Sequence, residues 1–246
     1  VDALIISDLG TMELAKVHAP HCALHVSTQF GVVNHATATA LYRMGASRVV
    51  LARELSLEEV RQIRQQTPPQ LELEAFVHGA ICMSYSGRCV ISNYLADRDA
   101  NHGECAQPCR WKYQIVEETR PGMPLTLEQD EGGTYLFNAN DMNMIAHVAD
   151  LANAGVASFK IEGRAKSSYY TAVVTNAYRQ AIEGFMASGC AQDYVPEAWV
   201  QQEVMKVSHR PYGTGFYYGM PAQHLQQGGY IRSYELAAVV EDWADG

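Results

Sequence analysis

Several absences bound this sequence before any motif is read. No stretch of its 246 residues approaches the ~20 consecutive apolar residues that a membrane-spanning helix needs. No charged-then-apolar amino terminus reads as an export signal. Positive charge is scarce: 18 Lys and Arg stand against 27 Asp and Glu, a formal charge of −9. That balance excludes a generic polyanion binder and leaves room only for a locally basic cleft. The Gly-rich dinucleotide loop, the H-E-x-x-H zinc motif and the G-x-S-x-G elbow are all missing.

What is present describes an ordinary globular chain, 48% hydrophobic and 18% charged, long enough for one large domain or one with a fragment attached. Its six cysteines, with no export signal, do not make a disulfide scaffold. They point to a reducing, cytoplasmic setting in which clustered thiols serve as ligands or catalysts. Val1–Ser7 already reads as a strand with nothing before it to pack on, and Tyr234–Val240 begins another β-like run near the last residue. Both suggest an internal piece of a longer protein.

Strand-like and helix-like segments alternate. Asp2–Ser7, Cys22–Ser27, Arg48–Ala52, Leu71–His78 and Val156–Ile161 are apolar runs with strand character. Between them lie a stretch to about His18, a helix from about Asn34 to Met44, and one opened by the capping box Ser56-Leu57-Glu58-Glu59 and closed at Thr67-Pro68-Pro69. Asp141 is expected to cap a helix with Met144, Ile145, Val148, Leu151 and Ala152 on one face, and Ser167 or Ser168 opens another running to about Phe185. Nearly continuous apolar strands alternating with helices imply a parallel α/β sheet. About five βα units suit a partial (β/α)8 TIM-like barrel over residues 1–186, with a doubly wound sheet as the competing architecture. Residues 187–246 then form a C-terminal extension, the start of a small β domain. Open barrel edges would favour a homo-oligomer.

Residues 79–140 form an insertion of about sixty residues, far beyond the ~2–6 usual for a βα loop. It leaves from the carboxyl end of a strand, the face on which barrel enzymes keep their chemistry. Cys82, Cys89, Cys105 and Cys109 fall inside it, spaced C-x6-C-x15-C-x3-C. Four thiolates meeting in space complete the shell of an iron–sulfur cluster or a tetrahedral zinc site. The wide, irregular gaps lean toward iron–sulfur, because zinc ribbons present paired C-x2-4-C knuckles. Cys22 and Cys190 lie outside the group and read as ordinary small hydrophobes.

The surroundings carry a resemblance. Glu74-Ala-Phe76-Val-His78-Gly79-Ala80-Ile81-Cys82 followed by Gly87-Arg88-Cys89-Val-Ile91-Ser92 resembles the signature of the collagenase-like peptidases, the thirty-second family of peptidases of unknown catalytic type. Lys160-Ile161-Glu162-Gly163-Arg164 with Lys166-Ser167, Arg98-Asp99 leading to Cys105 and Cys109-Arg110-Trp111, and Tyr212-Gly213-Thr214-Gly215-Phe216 are similar to later segments of that family. Within it the chain looks most like the proteins needed to make 5-hydroxyuridine at the tRNA wobble position, whose relatives serve ribosomal RNA or ubiquinone hydroxylation without molecular oxygen. The resemblance implies a four-iron, four-sulfur (4Fe-4S) cluster on Cys82, Cys89, Cys105 and Cys109, and prephenate as a co-substrate.

Candidate reaction groups sit at strand ends. Lys160, Glu162 and Arg164 follow the fifth strand, where fixed cations could grip a dianionic keto acid, or could simply close the barrel mouth as an ion-pair network. Glu74 and His78 share a face near the first cysteine, and His78 reads either as a proton shuttle or as a satisfied buried residue. Asp8, Gln29, Arg53 and Glu54 are weaker candidates of the same kind. For a tRNA partner, Arg98, Arg110, Trp111, Lys112 and Tyr113 form a basic and aromatic patch on which an unpaired base can stack. The same residues also read as packing and solvated charge. A peptidase using Cys82 with His78 is the second functional reading, and a recognition module with a purely structural metal is the third.

Overall fold

The computed structural model describes residues 1–82, 84–85, 88–111, 115–116, 124–125, 139–164, 166–220, 230–234 and 237–238, with Arg110 and the two short pairs 115–116 and 124–125 by backbone alone. β1 (Ala3–Ile6), α1 (Leu9–His18), β2 (Ala23–Val26), α2 (His35–Arg43), β3 (Ala46–Val50), α3 (Leu57–Gln66) and β4 (Glu72–Ala80) alternate in order. α4 (Ile91–Ala96) and the antiparallel pair β5 (Ile115–Val116) and β6 (Pro124–Leu125) belong to the insertion. β7 (Asp141–Asn143), α5 (Val148–Asn153), β8 (Val156–Ile161), α6 (Ser168–Ala187), α7 (Ala198–Glu203) and β9 (Tyr212–Gly213) follow.

Helix starts obey local chemistry. Asp8 accepts the Thr11 N–H at 2.8 Å, Asn34 accepts the Thr37 N–H at 2.8 Å, and Ser56 and Glu59 cap each other reciprocally. Ser167 accepts from the Tyr170 N–H and starts the longest helix, α6.

β1, β2, β3 and β4 pair in parallel, each beside its predecessor, and β8 pairs in parallel with β4. The order never reverses among these five strands, so the switch point that defines a doubly wound sheet is not found in them. β4 is the centre: every residue from Leu73 to Gly79 is buried, as expected of a strand covered on both faces. Leu24, Val26, Val49, Leu73, Ala75 and Val77 belong to one continuous core with residues of α2, α3, α5 and α6.

The sheet is mixed rather than all-parallel. After the insertion the chain returns against the strand it left, and β7 pairs antiparallel with His78–Ala80. Asp141 is therefore a strand residue, not the helix cap that its sequence suggests. Its amide donates to Pro211 O at 3.0 Å, and its buried carboxylate accepts the Arg210 N–H at 3.1 Å. These bonds tie β7 to β9, which joins the same sheet from within the C-terminal extension. The apolar stripe predicted after Asp141 is real: Met144, Ile145, Val148 and Leu151 are buried, but the α-helix begins only at Val148.

Gly79 shows how tightly the centre is closed. Its φ is +106°, and a Cβ there would lie 2.2 Å from the Glu162 carbonyl oxygen, so only glycine lets β4 run this close to the end of β8.

His78 lies in the core, 1% exposed, with its ring nitrogens 3.4 Å from Tyr178 Oη and 3.2 Å from Tyr212 Oη. Burial, reinforced by the neighbouring His209 and Lys166, pushes its pKa down to about 3. The unfolded chain thus binds a proton between about pH 6.5 and pH 3 that the folded chain refuses, and stability falls as pH is lowered through that window. The loss attributable to His78 is at most on the order of 4 kcal/mol. Denaturant melts from pH 7 to pH 4 should show this decline in the native protein and a flatter profile in His78→Asn; identical slopes would contradict the assignment.

Candidate functional site

A cavity of about 500 Å³ opens at the carboxyl ends of the central strands. Each strand end contributes: Ser27, Thr28 and Gln29 after β2, Arg53 after β3, Ile81 and Cys82 after β4, and Glu162, Arg164 and Lys166 after β8. Lys160 and Phe76 reach it from within β8 and β4. The insertion forms the opposite wall through Cys89, Arg98, Asn101, Gly103, Cys105, Gln107 and Cys109, among others.

All four clustered cysteines therefore line one cavity, and none of the six cysteines is in a disulfide. Burial pushes the Cys82 thiol up, and its nearness to Cys89 and Cys105 adds to the effect. Among the described residues no group of three or more His, Cys, Asp or Glu side chains is arranged to hold a single ion. Cys22 and Cys190 lie elsewhere, as expected for thiols outside the group.

Polar tethers fix the insertion over the strand ends. Gln29 Nε2 donates to Asn101 O at 2.7 Å, and Asn101 Nδ2 donates to Cys89 O at 3.0 Å. The Ala106 N–H donates to the buried Ser92 Oγ at 3.0 Å. Arg164 Nη2 donates to His102 O at 3.0 Å and occupies the place a Cβ on Gly103 would fill. Asp99 accepts from the amides of Asn101 and His102, which closes the turn that presents them.

The charge inside the cavity opposes that of the chain. Among the described residues, Arg53, Arg98, Lys160, Arg164 and Lys166 line it with a single carboxylate, Glu162. Arg53 pairs with Glu162 at 3.2 Å and stacks its guanidinium 3.9 Å above the Phe76 ring centre. Lys160 is held from beneath by Glu74 at 3.1 Å. Glu74 is 7% exposed and also accepts from Ser158 Oγ at 2.8 Å and Arg48 Nη1 at 3.2 Å. Burial alone would push that carboxyl up, but Lys160, Ser158 and Arg48 together hold it below the usual carboxylate range.

The expected site residues thus divide by position. Lys160, Glu162, Arg164, the four cysteines and Arg98 come together around the cavity, and so do Gln29 and Arg53. Glu74 touches the cavity only through Lys160, while His78 is sealed behind β4 among Tyr170, Tyr178 and Tyr212. Asp8 is a helix cap. Trp111 is 42% exposed just beyond Cys109, while Lys112 and Tyr113 lie outside the described residues, as does the side chain of Arg110. Lys166 is a cavity residue that sequence reading passed over, although it sits two residues from Arg164 in the same charged run.

Fold and site together define an α/β protein whose strand-end cavity is walled by four thiols and a surplus of cations. The chain belongs to peptidase family U32, whose profile matches residues 1–227. It is similar to tRNA hydroxylation protein P of Escherichia coli (strain K12), at 40% identity over 254 residues covering 87% of this chain and 55% of that protein. It is also similar to the 23S rRNA 5-hydroxycytidine C2501 synthase of the same organism, at 39% identity covering 76% of this chain and 27% of that protein. The collagenase of Porphyromonas gingivalis (strain ATCC BAA-308 / W83) is 34% identical over 89% of this chain and 53% of its own length. The chain spans about half the length of the tRNA hydroxylation protein and of the collagenase.

Glu74→Gln tests the electrostatic support of Lys160. The variant leaves Arg48 and Lys160 facing a neutral amide, and should lose about 2 kcal/mol of stability in urea melts at pH 7. An unchanged midpoint would show that the carboxylate is not needed to hold the two cations.

Proposed function

We propose that this chain is part of an oxygen-independent RNA-hydroxylation protein in which Cys82, Cys89, Cys105 and Cys109 hold a 4Fe-4S cluster. The observation that carries the reading is the gathering of all four thiols around one cavity at the strand ends. Four thiols on the walls of one cavity of about 500 Å³ supply the four ligands that such a cluster takes. The surplus of cations suits it as well, because a four-thiolate cluster is anionic and needs positive surroundings. Bound there, a cluster of this type supplies either an electron path or a Lewis-acidic iron.

The protein's own groups account for the rest. Lys160, Arg53 and Arg164 present fixed cations to the carboxylates of a small keto acid such as prephenate, with Glu74 and Glu162 fixing the first two in place. Arg98 at the cavity wall and Trp111 at its rim suit an RNA nucleotide, the arginine toward phosphate and the indole as a stacking surface. Relatives named for tRNA hydroxylation and for 5-hydroxycytidine synthesis in ribosomal RNA support an RNA substrate. The parallel order β1-β2-β3-β4-β8 suits an arc of a (β/α)8 barrel whose strand ends carry the site.

The collagenase relative favours proteolysis by name. The geometry disfavours the dyad that such chemistry would use here, because His78 faces Tyr178 and Tyr212 in the core while Cys82 lines the cavity.

Anaerobic purification followed by iron and sulfide analysis tests the reading. We expect about four irons and four acid-labile sulfides per chain, lost in each single Cys→Ala variant at positions 82, 89, 105 and 109. Nucleoside mass spectrometry should find 5-hydroxyuridine missing from the tRNA of a strain lacking the parent gene. Zinc without iron, or an iron-free protein that cleaves denatured collagen, would overturn the proposal.

A further inference from the structure

Gln107 stands between two of the four thiols and has a backbone that its residue type rarely adopts. Its φ is +57°, in the left-handed region. The following Pro108 disfavours the right-handed helical alternative, so the choice at Gln107 lies between left-handed and extended. The left-handed choice turns its amide onto sulfur: the Gln107 N–H donates to Cys105 Sγ at 3.3 Å. Pro108 then opens the short 3-10 turn Pro108–Arg110, which carries Cys109 to the cavity.

A second element fixes that choice. Tyr230 Oη donates to Gln107 Oε1 at 3.4 Å. The Tyr230 ring lies 4.1 Å from the Lys166 ammonium and 5.4 Å from the Arg210 guanidinium. Its neighbour Ile231 exchanges two backbone hydrogen bonds with His209, at 3.2 and 2.6 Å. The C-terminal segment is thus anchored outside the cysteine loop, and the Tyr230 hydroxyl reaches that loop.

We propose that Gln107 is a positioning residue for the Cys105 sulfur, held in its left-handed backbone by Tyr230. The inference rests on the reading of Cys105 as a cluster ligand. An amide aimed at a ligand sulfur favours the more electron-rich state of the centre, so removing it lowers the reduction potential.

Two measurements on the full chain test this. In metal-free protein, hydrogen exchange followed by NMR should show the Gln107 amide slowed roughly tenfold relative to the same amide in Cys105→Ala and Gln107→Val. Tyr230→Phe should lose part of that protection. Gln107→Asn should keep more of it than Gln107→Val, because asparagine tolerates the left-handed region and a β-branched valine does not, although the shorter side chain gives up the Tyr230 hydroxyl. In anaerobically loaded protein, spectroelectrochemistry should give a lower midpoint potential for Gln107→Val and Tyr230→Phe, with Gln107→Asn lowered less than the valine variant. Equal exchange at Gln107 in the native protein and Cys105→Ala would overturn the proposal, as would equal potentials for the valine and asparagine variants. A chain that binds no iron yet shows the protected amide would sink the cluster reading while leaving the hydrogen bond to sulfur established.

Discussion

The structure depends on a balance of charge at the strand ends. Among the described residues, five cations and one carboxylate, Glu162, line one cavity in a chain whose formal charge is −9. Cations gathered in a partly desolvated space repel one another unless anions sit among them. Glu162 answers Arg53 from the wall, and Glu74 answers Lys160 from below. Lys166 pairs with the buried Asp141 at 3.8 Å, and Arg98 and Arg164 line the same cavity as the four thiols. On the reading proposed above, an anionic centre on those sulfurs with a carboxylate ligand beside it would complete the balance.

Parallel pairing is what delivers these groups to one place. Each parallel strand points its carboxyl end the same way, so residues as far apart in sequence as Gln29, Arg53, Cys82 and Glu162 emerge on one rim. The close pass of β4 against β8 at Gly79 leaves no room between their ends, and the insertion is pinned above by Gln29 and Arg164. His78 does a different task from its neighbours: neutral and buried, it fills the core between β4, α6 and β9. The tyrosines around it, Tyr178 and Tyr212, are likewise pushed up in pKa by burial and remain neutral hydroxyls.

Much of this was legible in the sequence. The β8 boundaries match the apolar run Val156–Ile161, and the capping box at Ser56 and Glu59 marks the start of α3, because both signals are local and obey a single rule. The cysteine spacing and the charged run from Lys160 to Arg164 pointed to residues that line one cavity. Nonlocal facts were hidden. Asp141 has the composition of a helix cap but is drawn into the sheet by Pro211 and Arg210, some seventy residues later. Glu74 and His78, four residues apart, read as sharing a face of β4, but the register shifts between Phe76 and His78, and Glu74 supports the cavity's Lys160 while His78 meets Tyr178 and Tyr212. Tyr230 carries no motif at all, and only its placement over Lys166 and Gln107 reveals it.

The central claim is that the four thiolates share one polynuclear iron centre, and X-ray absorption at the iron edge of the anaerobically purified chain addresses it most directly. The account predicts a first shell made of sulfur alone and a second shell of iron scatterers. A first shell of nitrogen and oxygen, or an absorption edge at zinc with none at iron, would contradict it.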